Sequence, residues 1–456
     1  MDENNEISKM TVLLIATVAS FLTPFMASSV NVALPIIAKE LAANAILLSW
    51  VTTSFLLVSA MLAVPFGRIA DIYGMKKIFI LGIIIFTIAT FLASLSPFIE
   101  FLIFSRILQG VGSSMIFVTG LAIITSVFPP KEMGKAIGIN VTAVFIGLVM
   151  GPVLGGLLTQ YLGWRSIFYL VVPLGIIVSA LVIIKLKGSE WAECRGEKLD
   201  KLGSLLYAVS LLLVLVGFSA ITGLVGKIML VLGIIGFIGF VVWELRVEHP
   251  VLEMRLFLKN RKFAFSNLAA LISFTGTFAV VFLLSLYLQY IKGLDPRGAG
   301  LILAVQTLFM AFISPIAGRL SDKYESRILA SIGMTITTVG LIFLAFLSPD
   351  TSIYLIILSL VLLGIGSGIF STPNTHAVMN SVKKRYYGVA SATVSTMRIV
   401  GQTLSMGIVL VVFSIIIGAV QINPQNYPAL VQSTNIVFSI SAILGFIAIF
   451  ASLARN

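Results

Sequence analysis

Two arginines stand inside long apolar runs, and they are the residues of this chain best placed to do chemistry. Arg106 shares a helical face with Gln109, Gly110 and Ser113, while Arg398 sits on a stripe of Ser391, Ser395, Gln402 and Ser405. At ~1.5 Å of rise per residue, Arg106 lies roughly 10 Å into its run and Arg398 roughly 16 Å, near the middle. A charge at such depth costs about 2.5–3.5 kcal/mol on insertion scales, so each side chain must face a polar interior or a cavity. A guanidinium there can hold an anion, orient a polar ligand or respond to a proton. The alternative for each is a structural role, bonding neighbouring carbonyls.

Acids are missing from the same depth. All 18 carboxylates fall in loops, termini or the ends of apolar runs, with Glu100 and Glu244 the nearest to the interior. An enzyme or metal site would need clustered His, Cys or acids within the runs, so no enzymatic activity, cofactor or metal is expected. His249 in a loop and His376 near the end of its run read as interfacial or bonding groups. Asn31, Asn140, Asn267, Gln289, Gln306 and Asn374 suit either a cavity or helix–helix hydrogen bonds. A nucleotide-driven pump would need a Gly-x-x-x-x-Gly-Lys-Ser/Thr loop, and the chain has none.

The elements that must position these groups follow from composition. Only 11% of the residues are charged and 59% are hydrophobic, against ~25% charged in soluble domains. The apolar residues come in runs long enough to cross a hydrocarbon core of ~30 Å. Counting runs predicts fourteen helices, near 10–33, 46–66, 78–96, 99–127, 135–158, 165–185, 203–222, 226–245, 264–286, 299–317, 328–347, 352–378, 389–419 and 433–454. The first run follows a mixed-charge start and lacks a small-residue cleavage site, so it reads as a retained span. The lone cysteine, Cys194, lies in a charged loop and can form no internal disulfide.

The net charge of +12 does not point to nucleic acid, because the basic residues sit in short loops without aromatic interleaving. With both termini placed in the cytoplasm, 23 of the 30 Lys and Arg fall inside and five outside, Lys227 among the five. That asymmetry sets the expected orientation in the plasma membrane.

The chain also repeats itself. Pro65-Phe66-Gly67-Arg68-Ile69-Ala70-Asp71-Ile72-Tyr73 is similar to Ile316-Ala317-Gly318-Arg319-Leu320-Ser321-Asp322-Lys323-Tyr324. Gly110-Val111-Gly112-Ser113 is similar to Gly364-Ile365-Gly366-Ser367 at an offset of 254, and Gly134 and Gly388 keep that offset. Two copies of a six-helix unit fit, with helices seven and eight inserted as a hairpin. Residues 1–190 form the first half, 191–260 the hairpin with its flanking loops, and 261–456 the second half. Duplicated halves can build a central site that faces either side, which favours alternating access over a channel.

Specific motifs sharpen this reading. In Gly67-Arg68-Ile69-Ala70-Asp71-Ile72-Tyr73-Gly74-Met75-Lys76-Lys77, Gly67 and Gly74 permit a tight reversal and close helix approach. Asp71 can cap the next helix or pair with a base, and Lys76 and Lys77 hold the cytoplasmic side. The stretch resembles the signature loop of the major facilitator superfamily, which implies a latch between the halves; an ordinary capped turn is the alternative. In the second copy Glu325 replaces the second glycine. Gly147, Gly151, Pro152, Gly155 and Gly156 resemble the helix-five antiporter motif of drug exporters, the alternative being generic small-residue packing. Asn31-Val32-Ala33-Leu34-Pro35, Gly163-Trp164-Arg165, Trp243-Glu244 with Pro250-Val251-Leu252, and Arg255-Leu256-Phe257 are similar to the same fourteen-span drug–proton antiporter branch.

The resemblance implies an all-α polytopic membrane protein and a monomeric secondary transporter. It implies export of small amphipathic or drug-like molecules against proton entry, with membrane lipids as surroundings. A lipid or amphiphile flippase on the same fold is the rival. Substrate and coupling candidates are Asn31, Arg106, Gln109, Arg398 and Gln402. Arg106 is cast in coupling because Arg106-x-x-Gln109-Gly110 resembles the family's helix-four motif. Cation exporters of this branch carry an Asp in helix one where this chain has Met26, beside Ser28 and Ser29. A cation in a low-dielectric cavity needs a counter-charge, so neutral, amphipathic or anionic substrates are expected.

Overall fold

In the computed structural model, residues 9–185, 191, 196–321, 323–383 and 387–454 are described. Cys194 and Asp322, both singled out above, lie outside them. Fourteen helices are long and apolar enough to cross a membrane. We number them α1 Lys9–Glu40, α2 Ala45–Tyr73, α3 Met75–Ser94, α4 Ile99–Val127, α5 Pro130–Leu162, α6 Arg165–Lys185, α7 Lys201–Ser219, α8 Leu224–Glu244, α9 Arg261–Ile291, α10 Pro296–Ser321, α11 Ser326–Ala345, α12 Ile353–Asn380, α13 Tyr387–Ile416 and α14 Tyr427–Leu453. A short surface helix, Met254–Lys259, precedes α9. An even number of crossings puts the start of α1 and the end of α14 on one face, called here the terminal face; the other is the far face.

Local chemistry sets the boundaries. Asn44, Asp200, Asn260 and Ser352 each accept a hydrogen bond from a backbone N–H in the first turn of α2, α7, α9 and α12, as N-caps do. The signature stretch departs from the expected loop. It stays helical through Tyr73, and a single residue, Gly74 with φ 117°, turns the chain into α3. Gly74 is also the N-cap of α3 and, having no side chain, cannot itself cap that helix. Gly67 lies inside α2, where a Cβ would meet only Val118 at an ordinary 3.9 Å. Lys77 is exposed on α3.

The two copies of the repeat use their glycines alike. A Cβ on Gly110 would stand 2.8 Å from Phe55 O, pinning α4 on α2, and one on Gly364 would stand 2.4 Å from Gln306 O, pinning α12 on α10. Gly112 lets α4 meet α3 at Gly82, and Gly366 lets α12 meet α11 at Gly333. Such contacts need backbones nearer than any side chain allows. Large apolar residues face outward, among them Ile176, Ile177, Ile183 and Ile184 of α6, because the surrounding medium is lipid and not water.

Helices α7 and α8 pair through close approach at Gly217, Gly226 and Gly233. The pair rests on α2, where Tyr207 Oη donates to Ala60 O at 3.0 Å, and on α13, where Ser414 Oγ donates to Ser219 O at 2.9 Å. On the terminal face Trp191 and Glu197, ahead of α7, lie over the α2–α3 turn. Met75 N donates to Trp191 O at 2.9 Å, and Arg68 forms an ion pair with Glu197.

Span nine is not the plain helix expected. Its regular turns stop at Thr277, resume at Ala279 and end in a π-helical turn, Tyr287–Ile291. Ser405 Oγ of α13 accepts the Ala279 N–H at 3.0 Å, which satisfies an amide leaving the ladder.

Candidate functional site

A central cavity opens between the first six and last six helices, with a volume of about 840 Å³ that includes its open part. The first half lends Ala27, Ser28 and Asn31 of α1 with Leu148 and Pro152 of α5. The second half lends more: Ser273, Phe274, Thr277, Phe278 and Val281 of α9, Gln306, Thr307 and Met310 of α10, Ser367, Phe370 and Ser371 of α12, and Arg398 and Gln402 of α13. Among the described residues the cavity lining therefore has one cation, no carboxylate, a band of hydroxyls and amides, and three phenylalanine rings.

Arg398 is half-buried at this wall. Its guanidinium carbon lies 5.3 Å from the centre of the Phe274 ring, within cation–π range. Among the described residues it has no ion pair. Gln402 follows one turn later on the same stripe. Across the space, the Gln306 Oε1 acceptor has no partner. Asn31 lines the opposite wall, its Oδ1 accepting from Thr52 Oγ1 at 2.8 Å. Three of the five candidates, Asn31, Arg398 and Gln402, thus meet at one cavity.

Arg106 and Gln109 do not line it. Both are wholly buried within the first half. Arg106 Nε donates to Val51 O at 3.0 Å, Nη1 donates to Gln109 Oε1 at 2.8 Å, and Gln109 Nε2 donates to Thr90 Oγ1 at 2.8 Å. The guanidinium carbon sits 4.3 Å from the Phe55 ring centre, and Nη2 has no hydrogen-bond partner. The group ties α4 to α2 and α3. Its route to the cavity is short: Val51, which it holds, precedes Thr52, which holds Asn31.

The other polar candidates separate by role. Gln306 faces the cavity. Asn140 bridges α5 to α1 through Ala16 O and Ser20 Oγ, and Asn267 donates to its own helix at Phe263 O. Asn374 is buried in α12. Gln289 belongs to a seam between the halves on the far-face side. There Gln289 Nε2 donates to Val32 O at 2.8 Å, Ser285 Oγ to Asn31 O at 2.6 Å, and Tyr290 Oη to Pro35 O at 3.4 Å. Ala45 N donates to Val420 O at 2.9 Å and Gln421 Nε2 to Ala42 O at 2.9 Å. Asn31 and Ser285 are 254 positions apart, the offset of the repeat, so the halves meet through equivalent positions.

The helix-five motif lies along both partners of α5. Cβ atoms on Gly147, Gly151 and Gly155 would collide with Phe21, Ser28 and Ser29 of α1, and one on Gly156 would stand 2.5 Å from Pro296 O at the start of α10. Pro152 presents its carbonyl to Gly300 of α10 and borders the cavity. The motif thus seats α5 against its own half and the opposite one. Phe274 and Phe278 were not anticipated. The one signal in the chain was their i, i+4 spacing beside Ser273 and Thr277, a mixed aromatic and hydroxyl face unlike a lipid-facing one.

The fourteen-helix bundle was compared with known proteins. Residues 16–405 and 266–455 match the family profile of the Major Facilitator Superfamily. The riboflavin transporter RibZ of Clostridioides difficile (strain 630) is 34% identical over 390 residues, covering 86% of this chain and 85% of that protein. The multidrug resistance protein Stp of Mycobacterium tuberculosis is 30% identical over 389 residues, covering 83% and 71%. A solved peptide transporter, complexed with alafosfalin, superposes with a TM-score of 0.73 at 13% identity, covering 100% of this chain and 96% of that one. A fourteen-helix bundle whose named relatives are transporters and not enzymes, matched along its length by that profile, belongs to the Major Facilitator Superfamily.

Proposed function

We propose that the chain is an exporter of small amphipathic molecules, neutral or anionic and with an aromatic face, that works by alternating access. The observation that carries this is Arg398, held by Phe274 in a cavity whose lining includes no carboxylate. A lipophilic cation would enter without a counter-charge, at a desolvation cost that aromatic faces only partly offset. Residues 1–190 and 261–456 are the two moving halves, and 191–260 is the inserted hairpin. The far-face seam is the gate that must part: apart from the backbone bond Ala45 N to Val420 O, its hydrogen bonds join side chains to carbonyls and can break and re-form without backbone change.

Proton entry drives the cycle in this reading. Arg106 is the coupling candidate, acting through position, since the carbonyl it holds on α2 adjoins the residue that orients Asn31. The positive-inside asymmetry places the terminal face in the cytoplasm of the plasma membrane, and the chain acts as a monomer. A second reading concerns the substrate: the likeness to a riboflavin transporter suits a planar, uncharged heteroaromatic ring between Phe274, Phe278 and Gln306.

Purified protein separates these readings. Binding of ethidium-like cations is compared with neutral and anionic analogues of similar size and with riboflavin, for the native chain and for Arg398→Ala. Preference for anionic or neutral compounds, with the anionic ones weakened by R398A, supports the proposal. Strong preference for the cations, kept in R398A, overturns it.

A further inference from the structure

Outside the cavity, one acid is buried where the hairpin meets its flanking loops. Glu244, the last residue of α8, has no exposed surface. Its Oε2 accepts from Leu252 N at 2.8 Å, while Oε1 has no hydrogen-bond partner. Asp200, the N-cap of α7, comes up against that orphan oxygen. A Cβ placed on Gly203 would stand 2.3 Å from both Asp200 Oδ2 and Glu244 Oε1. The two carboxyl groups therefore face each other across the space that a glycine leaves open.

Among the described residues neither Asp200 nor Glu244 has an ion pair. On the neighbouring segments Lys198, Lys201, Arg246 and Lys259 are exposed, as is Glu248. Arg255 donates to the carbonyls of Leu245 and Val247. Arg68 of α2 pairs with Glu197, which also receives His249 Nδ1 at 3.2 Å. Glu253 is half-buried before the short surface helix, and Tyr207 of α7 spends its hydroxyl on Ala60 O. Asp200 is provided for as an anion: Gly203 N donates to Oδ1 at 2.9 Å and Trp243 Nε1 to Oδ2 at 3.0 Å.

Two facing carboxylates, one without solvent, cannot both carry charge unless something positive lies between them. We propose that Asp200 and Glu244 form a proton-binding site at the root of the inserted hairpin, with Glu244 Oε1 holding the proton and donating it to Asp200 Oδ2. When the proton leaves for water, two anions remain in place and repel. That repulsion loosens the joint between α7, α8 and the Leu252 segment, the joint that docks the hairpin on α2. The site is independent of the substrate reading, because it touches no cavity residue. Its occupant is a proton and not a metal ion, since two carboxylates and an indole N–H make a poor metal shell.

Infrared difference spectroscopy on the full chain, in lipid nanodiscs and with 13C-labelled glutamate, tests this. The native protein should show an isotope-shifted protonated-carboxyl band at neutral pH that is lost on alkalinisation and absent in Glu244→Gln. Sign follows from linkage: the folded chain holds a proton that the unfolded chain releases, so native thermal stability should fall as pH rises above the ordinary carboxylate range. In E244Q, which mimics the protonated acid, that decline should shrink. Asp200→Asn should shift the pH at which the band disappears. No protonated glutamate band in the native protein, or a band that persists in E244Q, overturns the proposal. So does stoichiometric metal in the purified chain whose removal by chelator abolishes the effect. The labelled native measurement decides the matter even if neither variant folds.

Discussion

Arg106 and Arg398 are the same residue type at comparable depth, each on a polar helical face, and the structure gives them opposite surroundings. Arg106 is enclosed by its own half, with two hydrogen bonds and the Phe55 ring. Arg398 stands at the wall of the shared cavity against the Phe274 ring, with no ion pair among the described residues. The first half spends its arginine on holding three helices together. The second half leaves its arginine's hydrogen-bonding capacity for whatever enters. Consistent with this, α9, α10, α12 and α13 supply most of the cavity lining, so the proposed function concentrates recognition in one half and rigidity in the other.

The largest effect should come from breaking the enclosed site. Arg106→Ala removes two hydrogen bonds to a charged group, each worth about 1.5–3 kcal/mol, and orphans the Gln109 Oε1 acceptor in an apolar bundle. We expect a lower thermal unfolding midpoint and loss of transport together, read by fluorescence-detected unfolding of detergent-purified protein. An unchanged midpoint with transport abolished would mean that Arg106 acts in coupling and not in holding the half together.

Arg398→Ala should do the reverse. Stability should change little, because the side chain is half-buried and makes no ion pair among the described residues. Affinity for an anionic ligand should fall about tenfold or more, the equivalent of ~1.4 kcal/mol or above. Arg398→Lys keeps the charge without the planar fork. It restores anion binding where the guanidinium acts as a point charge and fails where it acts bidentately. Equal losses of stability in R106A and R398A would erase the contrast between the halves.

Much of this arrangement was legible from residue order. Apolar runs locate fourteen spans, two of them, 99–127 and 165–185, at the helix bounds, though several helices outrun them: span one was expected at 10–33 and ends at Glu40. Hydropathy reports the hydrocarbon slab, while the helix continues past Pro35 to where Glu40 meets Trp164 and Arg165. The 254-residue offset reappears in the structure, in the paired glycine contacts and in the meeting of Asn31 with Ser285. What periodicity cannot give is a neighbour. A polar stripe says that a helix face avoids lipid, but not whether it meets another helix, as at Arg106, or a cavity, as at Arg398. Phe274 was one of 32 phenylalanines until α9 placed it under Arg398. The facing of Asp200 and Glu244 depends on how α7 and α8 pack, which no local pattern encodes.

The smallest and most discriminating effect concerns Phe274. Its ring either positions the Arg398 guanidinium or forms part of the binding surface itself. A cation–π contact at a partly exposed site is worth about 0.5–1 kcal/mol, so Phe274→Leu should weaken binding of an anionic ligand only a few-fold. The double variant separates the two roles, because coupled residues depart from additivity. If the ring works through Arg398, adding F274L to R398A costs nothing further. If the ring stacks on the ligand, F274L costs the same few-fold in either background and weakens neutral planar ligands as well. A thermodynamic cycle over the four proteins, measured with one anionic and one neutral aromatic ligand, reads both cases. We expect coupling for the anion and independence for the neutral compound, since only the anion engages the guanidinium that the ring supports.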